Sequence, residues 1–226
     1  MAQEIGIVRQ NSYQNYSEGQ ERPARLNRRG ELVVTDFFTQ CILDGRTFHM
    51  QLGTEDAPIN TTTSIDDQLS FGVADNPVGY AMIPVYFACS VATWTTATLL
   101  NTMLEIDRAL ARYSSGGTAY VPENLRTDRP RAAVGGSFYV GTDVTVAAKT
   151  AVPGSIELWR HTGSEDNVGT STGAENQNLA QYTAKIHPVA VMVGVSSAVL
   201  HFGTASADAT GYGLFDFIQL PVESVT

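Results

Sequence analysis

Lysine is nearly absent from this chain of 226 residues: of its 14 basic residues, only Lys149 and Lys185 are lysine and the other twelve are arginine. Charge of either sign is also sparse, at 16% of residues where soluble proteins carry about a quarter. That deficit points to surface that is not meant to face water. Long apolar runs are missing too. The richest stretch, YAMIPVYFACSVATW from Tyr80 to Trp94, is interrupted by Pro84 and dotted with Ser and Thr, so it reads as a buried strand region and not as a helical membrane span. The opening residues, MAQEIGIVRQNSYQ, lack the basic region followed by an apolar core that a secretory signal requires, and no export address is expected. The two cysteines, Cys41 and Cys89, stand alone in apolar, strand-like context without CxxC or a nearby histidine pair. This excludes a disulfide framework and a zinc signature, and suggests reduced, buried thiols and cytoplasmic assembly.

Chemistry-bearing motifs are equally scarce. None of the four histidines, His49, His161, His187 and His201, falls in HxH or HExxH spacing, so a metal site would have to be assembled from distant strands. His201, in AVLHFG, reads as a half-buried strand residue, and His187, before Pro188, as a turn residue. VGVSSAV lacks the pair of flanking glycines of a nucleophile elbow, and SSGGT lacks its strand–turn–helix context. GGSFYVG and NVGTSTG carry glycines but no phosphate-loop or dinucleotide fingerprint. The adjacent acids Asp66–Asp67 and Glu165–Asp166 sit in polar stretches, where solvation is the ordinary state, and their spacing is not that of an EF-hand. The expectation is a protein that is not an enzyme and needs no cofactor or metal.

Thr, Ser, Asn, Gln and 20 glycines supply the polar coverage, a mixture that suits strands and tight turns. Strands are expected at Leu32–Phe38 and Arg46–Leu52, joined as a hairpin through LDG, then at Gln68–Val73, Tyr80–Val91, Ser137–Ala147, Ser155–His161, Val189–Val195, Ala198–Gly203 and Leu214–Val222. Thr98–Tyr113 is the ambiguous element. Leu99, Met103, Ile106 and Leu110 fall on one helical face, which favours a helix over 98–113, with a strand as the alternative in such β-rich company. SSGGT at Ser114–Thr118 reads as a flexible break, and Pro122–Gly136 as a surface connection. Many short strands without alternating helices predict an all-β fold: one β-sandwich or jelly-roll-like body over residues 31–226.

Residues 1–30 differ in kind. They hold Arg9, Arg22, Arg25, Arg28 and Arg29 against three glutamates in a chain whose net charge is −9, and they lack the apolar periodicity needed to order alone. They read as an extended N-terminal arm. Nucleic acid is a poor partner for it, because the acidic body would repel a duplex while the arm attracted it. Arginine's planar fork makes paired bonds to carboxylates and carbonyls and is enriched at interfaces, where lysine is depleted. The arm, and the loop bearing Arg126, Arg129 and Arg131, therefore read as docking segments for an acidic or carbonyl-rich protein surface.

RYSSGGTAYVPENLRTDRPRA (Arg112–Ala132), preceded by WTTATLLNTMLEIDRAL and by the polar arm, resembles virion structural proteins of tailed bacteriophages, in particular the β-rich cement or decoration proteins of the capsid. The resemblance runs over most of the chain. It implies a sandwich or jelly-roll body, often a homotrimer or other homo-oligomer, seated on the outside of a capsid lattice with its arm gripping the major capsid protein, and no membrane partner. It also implies a protein made in the host cytoplasm and carried on the virion. The competing expectation is a tail, baseplate or fibre-associated β-module that binds a host receptor or glycan, for which the polar stretch His161–Tyr182 is suited.

Overall fold

Side-chain alternation along two antiparallel sheets places the large apolar residues in one inner layer. The computed structural model describes residues 36–61, 69–94, 99–108, 111–128, 130, 133, 135–147, 155–164, 180–204 and 209–225. Helix α1 (Phe37–Leu43) leads into β1 (Thr47–Leu52), β2 (Ile59–Asn60), β3 (Leu69–Asn76), β4 (Tyr80–Trp94) and β5 (Leu99–Asp107). Short strands β6 (Tyr113–Ser115), β7 (Thr118–Ala119) and β8 (Glu123–Asn124) precede β9 (Ser137–Val146) and β10 (Ile156–Ser164). The chain continues through β11 (Ala180–Thr183), β12 (Met192–Val193), β13 (Ser196–Thr204) and β14 (Ala209–Pro221), and closes on a 3-10 turn at Val222–Ser224.

Sheet one runs β11-β4-β14-β1-β8, with β12 also on β4 and β2 on β14; sheet two runs β10-β5-β13-β3-β9-β6, with β7 on β9. Their facing sides make a sandwich core. Phe48, Met50 and Leu52 of β1, Phe87 of β4, and Phe215 and Phe217 of β14 meet Phe71, Leu104, Leu200 and Phe202 of sheet two. The all-β class is therefore the observed one. Pro84 is accommodated inside β4 because the ladder to β14 slips there: Asp216 faces Tyr86 and Phe217 faces Pro84, leaving Val85 as the extra residue of a bulge. Gly211 of β14 lies under the Phe202 ring, where an added Cβ would fall 2.2 Å from a ring carbon.

Three expectations need correction. Of the helix expected over 98–113, Leu99–Asp107 is instead β5, a central strand between β10 and β13, while 98, 109 and 110 lie outside the described residues. Its even positions, Leu100, Leu104 and Ile106, join the core, while Met103, Glu105 and Asp107 are buried on the opposite face. A strand covered on both sides carries apolar residues on both, and these imitate helical spacing. The strand at Leu32–Phe38 is the second case. Residues 31–35 lie outside the described set, while Phe37 and Phe38 open α1, whose N-cap Asp36 accepts from the Thr39 N–H at 3.1 Å. The predicted hairpin is thus a helix–turn–strand unit, and Cys41 is helical. Third, SSGGT is an ordered turn between β6 and β7, both paired with β9. Gly116 (φ +75) passes so close to β9 that a Cβ would sit 2.0 Å from the Asp143 carbonyl oxygen, so only glycine fits.

Smaller differences share one cause, that burial is set by neighbours. Of Val189–Val195 only Met192–Val193 is strand, and β11 begins inside the predicted polar loop His161–Tyr182 and runs to Thr183. The connection Pro122–Gly136 contains β8, which pairs with β1.

Candidate functional site

The outward side of sheet one carries α1, with which the described residues begin. After the bulge, Ile218 and Leu220 of β14 and Ile83 of β4 face outward, and α1 covers them with Cys41 and Phe38. Burial pushes the Cys41 thiol up to about 11 and Cys89 well above its usual value, so both sulfurs stay protonated and inert. Beside α1 runs a groove lined by Phe37, Cys41, Asp44, Arg46, Leu220 and Pro221. Phe37 is 51% exposed and Leu43 50%. Asp36, the N-cap of α1, is the first of the described residues, and Phe37 after it lines this groove.

Arg126 is the one residue of the predicted docking set within the described residues; Arg9, Arg22, Arg25, Arg28, Arg29, Arg129 and Arg131 lie outside them. Its guanidinium forks onto Asp128, donating from Nε to Oδ1 at 2.8 Å and from Nη2 to Oδ2 at 3.1 Å. The remaining nitrogen donates to the Leu43 carbonyl at the C-terminus of α1. That carbonyl is one of the groups a helix end leaves unsatisfied, so Arg126 ties its loop to the helix that borders the groove.

Next to α1, a row of titratable groups crosses the same face. Glu123 stands opposite His49, His49 opposite Asp216, and Asp216 opposite Tyr86. His49 Nδ1 is bonded to Asp216 Oδ1 at 2.7 Å. This bond, reinforced by the charges of Asp216 and Glu123 and opposed by burial, holds the imidazole above its ordinary 6.5. Burial and then the Asp216 charge raise the Tyr86 phenol. A raised histidine favours the fold in its protonated form. The pair's contribution is therefore fully present below about pH 6.5 and fades as pH rises through the folded-state value. With the two side chains 22% and 21% exposed, it is worth less than about 1 kcal/mol. Melting temperature measured across that window should fall for the native chain relative to His49→Gln; parallel curves would remove the pair as a stabiliser.

Sheet two has its own buried outer side, and it holds a charged network. Arg112 donates from Nη1 to Glu105 Oε1 at 2.6 Å and from Nε to the Ala147 carbonyl at 3.0 Å. Its backbone N–H donates to Ser197 Oγ at 2.7 Å and to Asp75 Oδ1 at 3.2 Å. Ser155 Oγ donates to Glu105 as well. Burial pushes the Asp75 carboxyl up, against bonds from Ser197 and from the Tyr113 and Arg112 N–H groups that hold it down. His201, expected to be half-buried, is fully buried, with Nε2 3.5 Å from Glu105 Oε2. The acids, the arginine and the histidine converge, but in the protein interior, where their bonds fasten the chain after β5 onto sheet two.

A third cluster closes the open edge between β10 and β11. Trp159 packs edge-on to Phe87 at 6.3 Å, nearly parallel to His161 at 6.2 Å, and against His187 at 6.0 Å. Tyr182 stacks on His187 at 5.5 Å and donates its hydroxyl to the Pro188 carbonyl at 2.8 Å. His187 Nδ1 lies 3.1 Å from the Thr183 amide nitrogen and 3.2 Å from the Thr183 carbonyl oxygen, which fixes the ring beside β11. Trp159, His161 and His187 are each half-buried. Sequence reasoning reached these rings only one at a time, because β11 is hidden in a polar stretch.

Among the described residues no group of three or more His, Cys, Asp or Glu is placed to hold a metal ion, and no helix is long and apolar enough to cross a membrane. The acid pairs Asp66–Asp67 and Glu165–Asp166 lie outside the described residues, as does GTSTG at Gly169–Gly173, which has the G-x-S-x-G spacing that the other serine stretches lack. No family model, no curated protein and no solved structure matches the chain.

Proposed function

We propose that the chain is a non-enzymatic structural protein of a phage virion, of the cement or decoration type, which grips the outside of a capsid lattice with residues 1–30 and reinforces contacts between major capsid protein subunits. The observation that carries this reading is the position of the arm's junction. The arginine-bearing segment precedes α1 in the sequence, and α1 opens with Phe37, which lines the groove and is exposed, as is Leu43 at the other end of the helix. Any surface held by the arm is thus brought against an apolar face ready to be covered. Arginine forks supply bonds to carboxylates and carbonyls at the partner, and repetition of identical sites over a lattice multiplies modest individual contacts. No chemistry is required of such a protein. It adds interface that must be broken before the shell opens.

The expected result of deleting residues 1–30 is a folded body with unchanged circular dichroism that no longer co-sediments with capsids. Full retention on the capsid would overturn the role given to the arm. A second reading, a tail or fibre-associated module for a host glycan, is favoured by the half-exposed ring cluster at Trp159, since sugar rings stack on such faces. Copy number separates the two: cement protein is present in hundreds of copies per particle, a tail module in a handful.

A further inference from the structure

We propose that the valine ladder from Val189 to Val195 is a self-association surface at which β12 pairs antiparallel with β12 of a second copy of this chain. Alternation sorts this segment into two sides. Ala190 and Met192 pack into the core, whereas Val189, Val191, Val193 and Val195 point outward and are 47%, 50%, 45% and 37% exposed. Ile186, 81% exposed, precedes them on the same connection, and Val78, 74% exposed, stands in the neighbouring turn.

The ladder is held in a fixed place. Met192 and Val193 pair with Met82 and Ala81 at the start of β4. The Gly194 N–H donates to the Tyr80 carbonyl at 2.8 Å, and Asn76 Nδ2 donates to the carbonyls of Tyr80 and Gly194 at 2.7 and 2.9 Å. These bonds set the Val78 turn beside the ladder. Among the described residues no strand lies on the far side of β12, so it forms an edge of sheet one. Edge strands are ordinarily blunted by charge, most often lysine. This one has none: residues 186–207 contain no Asp, Glu, Lys or Arg. An ordered, uncharged edge lined by β-branched side chains is the form a surface takes when another strand covers it.

Charge selects the occupant. Each copy carries a net charge of −9, so two copies repel one another over most approaches, and the ladder is where they meet without bringing like charges together. A basic partner would find no carboxylate within residues 186–207 to pair with. A two-fold axis across β12 sets valine against valine and needs only a patch complementary to itself, as an isologous dimer requires. The inference stands on the body's surface alone and is independent of whether the arm grips a capsid.

Sedimentation velocity of the purified full-length chain over a concentration series is expected to show a monomer–dimer equilibrium. Val191→Lys/Val193→Lys should weaken it roughly a hundredfold by placing four cations at the axis, with the far-UV circular dichroism and melting temperature retained. Because that variant could fold poorly, Val193→Cys gives a second readout: mild oxidation should link two copies through this cysteine, Cys41 and Cys89 being buried. A native chain that stays monomeric, a double-lysine variant that dimerises as the native chain does, or a Val193→Cys chain that forms no linked dimer would each overturn the proposal.

Discussion

Arg112→Met is expected to unfold at a much lower urea concentration than the native chain, with a loss of about 3–5 kcal/mol. Against a total stability of about 5–15 kcal/mol for a domain, that is a large fraction. The cost follows from what is left behind. Arg112 and Glu105 are almost completely buried, at 0% and 1% side-chain exposure. Removing the guanidinium strands the Glu105 carboxylate in the interior without its counter-charge and frees the Ala147 carbonyl that Nε and Nη2 both contact. Methionine fills much of the volume, so the loss reports charge and hydrogen bonding more than a cavity. Arg112→Lys keeps the charge but not the fork that reaches Glu105 and Ala147 together, and should fall between the two. Replacing Glu105 by Gln in the methionine variant removes the stranded charge and should recover part of the loss. A loss under about 1 kcal/mol for Arg112→Met, the ordinary value for a surface arginine, would show that the pair is not shielded from water.

Arg112 also marks the limit of what the sequence could disclose. Strands β4, β9 and β13 are legible because each is an apolar, β-branched run bounded by turn residues, and the local signal agrees with the tertiary outcome. β5 is legible only in part. The two acids Glu105 and Asp107 sit two apart within its alternation, and a strand reading would have placed both on Met103's side, an acidic pair on an apolar face. That is the signal for a buried network, but it becomes readable only once helix has been set aside. Its partners, Asp75, Ser197 and Arg112, come from β3, β13 and the segment after β5, and nothing local announces that they meet. α1 illustrates the reverse situation. Asp36 and Thr39 carry a capping signal, which the two phenylalanines, better suited to strand, conceal. Along Val189–Val195 the apolar pattern was plain, yet alternate valines are exposed, because hydrophobicity shows that a surface is to be covered without showing whether the same chain covers it.

Phe217→Ala tests the sandwich itself and is expected to cost about 3–5 kcal/mol, as truncation of a fully buried aromatic does. Phe217 is fully buried and is the point at which both sheets meet. Its ring lies 5.7 Å from Phe48, 5.5 Å from Phe138 and 5.6 Å from Phe215, so one truncation opens a void that three other rings border. Collapse into that void is restricted, because Phe217 faces Pro84 at the β4 bulge, where the backbone is committed to its slipped register. Urea unfolding followed by near-UV circular dichroism gives the size of the loss and whether the aromatic packing survives it. Phe37→Ala supplies the contrast: half-exposed at the groove, it should shift stability by no more than about 0.5 kcal/mol, while weakening attachment to the capsid under the function proposed above. If instead Phe37→Ala proved as destabilising as Phe217→Ala, the groove beside α1 would belong to the core, and the arm would join the body at a surface that offers a partner nothing to cover.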